Sequence, residues 1–317
     1  MLTLLVPFFG VIALGYAAGR VRLLAHSALG GLETFVSYVA LPVLYFHLIL
    51  EAPAGAIPGW GFVVATTFAT YCTFAIAFSV GALANGGNVP EATVQGLIGS
   101  YSNAASLAPP LVLAAFGPAS AAPLGVIVAF ETAMLLIVTP LMMALGGTSQ
   151  TDARTLALGI GRDLIGSPIL VAVILGLLGA AFGLHLPEPI EALLTTLRAG
   201  AIPVALFVFG LGLSFRSLGR FPVEVPVAVV VKLIVHPLVV YLLLSWIGGF
   251  EPLWVRTAIV AAALPPSADV VRLAIRDRAW AGPASQALLL ASYAAVVTLT
   301  VTFLILIGQQ LAGGLLR

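Results

Sequence analysis

The sequence predicts an all-α polytopic membrane protein: ten transmembrane helices in two inverted five-helix repeats, with helices four and nine broken and crossing. Three observations predict it. The 317 residues are 61% hydrophobic and 8% charged, with a mean hydropathy of +1.16, against about 25% charged residues in an ordinary soluble domain. Pro-Pro pairs interrupt one apolar stretch in each half, Pro109-Pro110 in SYSNAASLAPPLVLAAFG and Pro265-Pro266 in AAALPPSADVVRLAIR. Proline lacks an N–H and clashes with the carbonyl one turn earlier. Such interruptions in corresponding halves point to a substrate site at the midplane of a carrier. Finally, Pro7 and Pro168, Gly15 and Gly176, and Pro42 and Pro203 are each 161 positions apart, and the Pro-Pro pairs 156 apart.

A spanning helix needs about 20 apolar residues. Stretches near 2–20, 30–50, 58–84, 92–115, 120–145, 165–184, 192–214, 223–247, 252–275 and 283–308 meet that need. The first has no basic lead and no small-residue cleavage pattern after it, so it reads as a span and not as a removed signal peptide. Residues 1–145 form the first repeat, 146–164 a hydrophilic cytoplasmic connection, and 165–317 the second repeat. Five spans per half, an odd number, places the second half upside down. Arg20, Arg22, Arg154, Arg162, Arg216, Arg220, Arg276 and Arg278 follow odd-numbered spans, whereas the opposite loops carry Glu51, Glu188, Glu191 and Glu251. Basic residues stay on the cytoplasmic side, so both termini are expected outside a cell (inner) membrane, with Arg317 the exception. Trp60, Trp246, Trp254 and Trp280 fall where an aromatic belt would sit. The net charge of +1 gives no reason to expect nucleic acid, and Cys72 is a single cysteine, which excludes a disulfide within the chain.

The chemistry-bearing residues cluster at the interruptions. Ser102, Asn103 and Ser106 precede Pro109 and Pro110, and offer amide and hydroxyl groups to a carboxylate or to backbone freed by the break. Ser267 and Asp269 follow Pro265 and Pro266 at the start of a half-helix, whose N-terminus carries about half a positive charge. Asp269 and Arg272 are three apart, the spacing of an ion pair on one helix face. Glu131 and Lys232 lie mid-span, where charge is costly and marks function. His236 is one turn beyond Lys232 and is a candidate proton shuttle. These residues form the candidate coupling or charge network, with H+ as the ion, or Na+ held by Asn103, Ser106, Ser267 and Asp269. The four histidines read as scattered, with no metal motif and no cofactor.

LPVLYFH at 41–47, the run from Asn103 to Pro110 followed by FGPASAAP, AIPVALFVFGLGL at 201–213, KLIVHPL at 232–238 and ALPPSADVVRLA at 263–274 together resemble the auxin efflux carrier family. The likeness covers nearly the whole chain. It implies ten helices in two inverted repeats, with the fourth and ninth crossing at their broken segments, and a function like that of bacterial malate and malonate permeases or plant auxin carriers. This chain departs from the family pattern in Ala108, where glycine is usual, and in Asp269, where bacterial members often have asparagine. The plant carriers' third-helix Asp and Lys have no counterpart.

The resulting expectation is a secondary active transporter of small organic anions, chiefly carboxylates, in the lipid bilayer, with a homodimer as a further arrangement. The alternative within carriers is a sodium-coupled symporter resembling the bile-acid carriers of the same superfamily. A channel fits a repeated break with few pore charges less well. A membrane enzyme is not expected, since no HExxH or GxSxG run is present.

Overall fold

A computed structural model describes residues 2–52, 58–147 and 152–315. The described residues are helical, with no strand longer than a single bridge. In chain order the helices are α1 (Leu2–Arg20), α2 (His26–Leu50), α3 (Trp60–Ala84), α4 (Val89–Ser100), α5 (Ala104–Phe116), α6 (Ala121–Leu145), α7 (Ala153–Ile165), α8 (Pro168–Ala181), α9 (Glu188–Ser214), α10 (Glu224–Ile247), α11 (Pro252–Ala263), α12 (Ala268–Arg276) and α13 (Ala281–Leu315). Among the described residues six helices are long and apolar enough to cross a membrane, or seven if α7 and α8, bent by 60°, count as one span. The chain is a multi-pass membrane protein.

Prolines tune the long helices without ending them. A π-helical turn at Val36–Ala40 precedes Pro42 in α2, and another at Val231–Val235 precedes Pro237 in α10. A wider turn is how a helix absorbs an interruption of its ladder. Pro203 lies inside α9. Two close helix contacts organise the packing. A side chain at Gly15 of α1 would overlap the Phe207 carbonyl of α9, and a Cβ at Gly176 of α8 would meet the Phe46 carbonyl of α2 at 3.0 Å. Adding 161 to Gly15 gives Gly176, and adding it to Phe46 gives Phe207, so the spacing that relates the glycines also exchanges their partners.

Three expectations are corrected. The connection read as a loop over 146–164 contains α7, whose N-cap Asp152 accepts from the Thr155 N–H at 3.2 Å. Leu158 and Ile165 are exposed on it, and apolar residues among polar ones in a short exposed helix suit a membrane interface. Trp60 and Trp246 are exposed as a belt requires, but Trp254 packs edge-on against Phe62 and Trp280 is buried. The third concerns the first break. It lies at Tyr101–Asn103, and Pro109 and Pro110 sit inside the continuous helix α5. Arg317 lies outside the described residues.

Candidate functional site

The break between α4 and α5 occurs where the chain reads Ser100-Tyr101-Ser102-Asn103, residues that bond their own backbone or lose rotamers in a helix. Tyr101 is extended and Asn103 has φ −80°, ψ +43°. Seven residues downstream Pro109 withholds the N–H that the Ala105 carbonyl would have received. The buried Tyr45 of α2 supplies it instead, its hydroxyl donating to the Ala105 oxygen at 3.0 Å. That donor replaces the bond that Pro109 removes from α5. Ser102 and Asn103 therefore form the break, and Ser106 follows it in the first turn of α5.

The break between α11 and α12 contains its prolines. Leu264 and Ser267 are extended around Pro265-Pro266. Pro266 frees the Ala262 carbonyl, which accepts from the Lys232 ammonium at 2.6 Å. The two breaks lie against each other: Ser102 and Pro266 form an antiparallel bridge, and the Asn103 N–H donates to the Pro265 carbonyl at 2.9 Å. Tyr101 and Leu264, where the breaks begin, are 163 positions apart, close to the 161 of the other matched pairs. The proline pairs, at 156, are not the equivalent points.

The half-helices leave the crossing with different N-termini. Ser267 caps α12, its hydroxyl accepting from the Asp269 N–H at 3.2 Å and donating to the Asp269 carboxylate at 2.9 Å. Asp269 also pairs with Arg272, which reaches Glu33 of α2 at 2.9 Å. The end of α5 has no side-chain cap, so its first N–H groups and positive pole point outward. Asn103 is 6% exposed.

A cavity of about 80 Å3 opens there, lined by Ser102, Asn103, Ser106, Ser267, Asp269 and Arg272, with Glu33, Tyr101 and Arg216. Arg216, just past α9, donates from Nη1 to Ser285 at 2.7 Å, and its buried Nε has no protein partner. The structure thus brings together Ser102, Asn103, Ser106, Ser267, Asp269 and Arg272. Pro265 and Pro266 shape the crossing, while Pro109 and Pro110 lie inside α5.

Behind the crossing lies a buried polar chain. Lys232, fully buried, donates to the Ser102 hydroxyl at 2.7 Å and sits 2.9 Å from His236 Nδ1. His236 Nε2 is 3.3 Å from the Thr70 hydroxyl, which already donates to the Thr66 carbonyl at 3.2 Å. This accounting gives Nε2 the imidazole proton, leaves Nδ1 as acceptor and makes Lys232 the donor to all three neighbours. Glu131 is in hydrogen-bond reach of the Ser102 N–H and hydroxyl. Glu131 and Lys232 meet at Ser102, with His236 behind Lys232, separate from Asp269 and Arg272 on the cavity side.

A family model described as "Membrane transport protein" matches residues 1–303. The chain belongs to the auxin efflux carrier family. Within that family's reach stands a protein of Rhizobium meliloti (strain 1021) named "Putative malonate transporter", 36% identical over 297 residues that cover 94% of this chain and 93% of the relative.

For this member of the auxin efflux carrier family, reading by residue type missed Glu33, Tyr45 and Arg216. Arg216 counted only as a topology marker, and its position after an apolar helix gave no sign that it turns back to the cavity. The histidines read as scattered include one with a carboxylate at i+4, His47 with Glu51. His47, Glu51 and Glu191 place ligand-type atoms within 4.8 Å of one another. Glu51 is already paired with Arg198 of α9, which neutralises the charge that a cation would need.

Proposed function

We propose that this protein is a secondary transporter of small organic anions, dicarboxylates of malonate size foremost, working by alternating access around the crossed breaks. The carrying observation is the cavity at the crossing, where the uncapped N-terminus of α5 and Asn103 share the lining with Arg216, whose buried Nε has no protein partner. One carboxylate binds at the helix end, where dipole and free N–H groups favour an anion. The second binds Arg216. At about 80 Å3 the cavity is well below the roughly 150 Å3 that accommodates benzene, so it excludes an indole acid and must widen as it opens to admit even a three-carbon diacid. The relative's name agrees with the malonate reading.

The architecture we infer is ten spans in two inverted repeats, α4–α5 and α11–α12 each making one broken span. The exchange of Gly15–Phe207 with Gly176–Phe46 supports it, because a pseudo-twofold axis turns each contact into the other. Arginine placement supports outward termini in the inner membrane. Asp269, whose side chain is 41% exposed at the cavity rim, carries a coupling proton, and Arg272, paired with both Asp269 and Glu33, closes the cavity mouth until substrate arrives.

The test is counterflow in proteoliposomes. Labelled malonate is taken up transiently against unlabelled malonate inside, saturably, and Asn103→Ala weakens its binding by about 1–3 kcal/mol, as loss of a hydrogen bond to a charged group does. Uptake that does not saturate indicates a channel. Uptake indifferent to Asn103→Ala moves the site elsewhere. For coupling, Asp269→Asn keeps exchange and loses pH-dependent accumulation; accumulation as in the wild type across pH 5 to 8 assigns coupling to another group.

A further inference from the structure

The Glu131–Ser102–Lys232–His236 chain touches the substrate cavity only through Ser102 and otherwise lies behind the crossing, and the transport reading gives it no task. Its geometry points to one. Broken helices in carriers expose carbonyl oxygens, and in cation-coupled carriers such carbonyls, with side-chain oxygens, hold the ion. Here the carbonyl freed by Pro266 is that of Ala262. A positive group already sits on it at 2.6 Å, with the Ser102 hydroxyl at 2.7 Å. That group is the chain's single lysine.

We propose that the Lys232 ammonium is a resident cation: it occupies the oxygen-lined position that an alkali ion would take at the crossing, so the protein needs no sodium there. The position is complete. Ala262 and Ser102 supply oxygens, His236 Nδ1 the third acceptor, and Glu131, through Ser102, the counter-charge. All three ammonium hydrogens are used, as a buried charge requires if it is to remain. Thr70 from α3, beyond His236, is neutral, and α4, α11 and α13 pack against the same turn of α10. Because Lys232 is tethered to α10 and touches both breaks, the crossing stays electrically balanced whichever way the cavity opens. Sodium coupling is thereby excluded from this side, which rests on the transporter reading but is testable without it.

The experiment uses the purified full chain in detergent with no organic anion present. Thermal midpoints are compared in choline, sodium and ammonium chloride at one ionic strength. Wild type is expected to unfold at the same midpoint in all three. Lys232→Ala empties the position and leaves Glu131 unpaired, so its midpoint is low in choline and rises in ammonium or sodium with the logarithm of their concentration, as for a bound ligand. Choline is too large to enter. The double variant Lys232→Met with Glu131→Gln removes both charges and is expected to fold with no preference among the salts. A sodium-stabilised wild type, a Lys232→Ala protein as stable in choline as in ammonium or failing to fold in either, or a double variant that sodium still stabilises would each overturn the proposal. Since no anion is present, these outcomes leave the malonate reading standing, and absent counterflow with the expected salt pattern would refute that reading alone.

Discussion

The two helix breaks meet at one bridge yet solve the same problem in opposite ways. In the α4–α5 break the prolines lie downstream, inside a helix that continues, and a neutral hydroxyl, Tyr45, caps the carbonyl Pro109 orphans. In the α11–α12 break the prolines are the break, and a charge, Lys232, caps the carbonyl Pro266 orphans. The helix ends beyond them differ too. Ser267 and Asp269 close α12 on itself, while α5 is left open toward the cavity. Lys232 touches both breaks, but the helix end beyond one is sealed by its own cap and the helix end beyond the other is left free to bind. A proline pair in an apolar segment therefore announces an orphaned carbonyl. Both orphaned carbonyls find a donor on another helix, a hydroxyl in one case and an ammonium in the other.

The contrast can be broken most severely at Lys232. Lys232→Met without compensation leaves Glu131 buried and unpaired, which costs about 3–5 kcal/mol, and thermal unfolding in detergent should show the largest loss of any variant here. Asn103→Ala follows: malonate affinity falls by about 1–3 kcal/mol, while the thermal midpoint without ligand stays near wild type, because the Asn103 bond to Pro265 is made by its backbone. Tyr45→Phe keeps the ring and removes only the donor to Ala105, at a cost of about 1–2 kcal/mol in stability; hydrogen exchange at α5 should rise while that at α12 does not. Ser267→Ala removes the α12 cap for about 1 kcal/mol, read as faster exchange confined to α12. Smallest is Glu33→Gln. It breaks a half-exposed ion pair with Arg272 worth about 0.2–1 kcal/mol, so stability hardly moves, and an increased rate of counterflow would mark Glu33 as a gate.

Much of this was legible in residue order because hydropathy and proline act locally. The apolar stretches anticipate the helices within a few positions, and the second break falls on its prolines. The first break was misplaced for a physical reason. The donor that replaces the bond lost at Pro109, Tyr45, is 60 positions from Ala105, and no local pattern encodes that reach. The local signal that was available is the run of poor helix formers from Ser100 to Asn103. Lys232 and His236 share a face by their i,i+4 spacing, so their partnership could be anticipated, whereas the meeting of Lys232 with Glu131 at Ser102 required the crossing itself. Glu33 and Arg216 escaped notice because charges at helix ends ordinarily report topology.

The glycine contacts have a mechanical meaning. At Gly15 main chain lies directly on main chain, and at Gly176 the Phe46 carbonyl shares the contact with the Ile49 side chain, whose β-branch leaves it little freedom to change rotamer in a helix. Such seams behave as welds. Helices α1 with α9, and α8 with α2, then travel as joined plates, and any stroke of the molecule must be taken up along borders cushioned by larger side chains. A pair of welds related by the same spacing as the halves also means that neither half owns its plate, for each plate is riveted from one helix of either half.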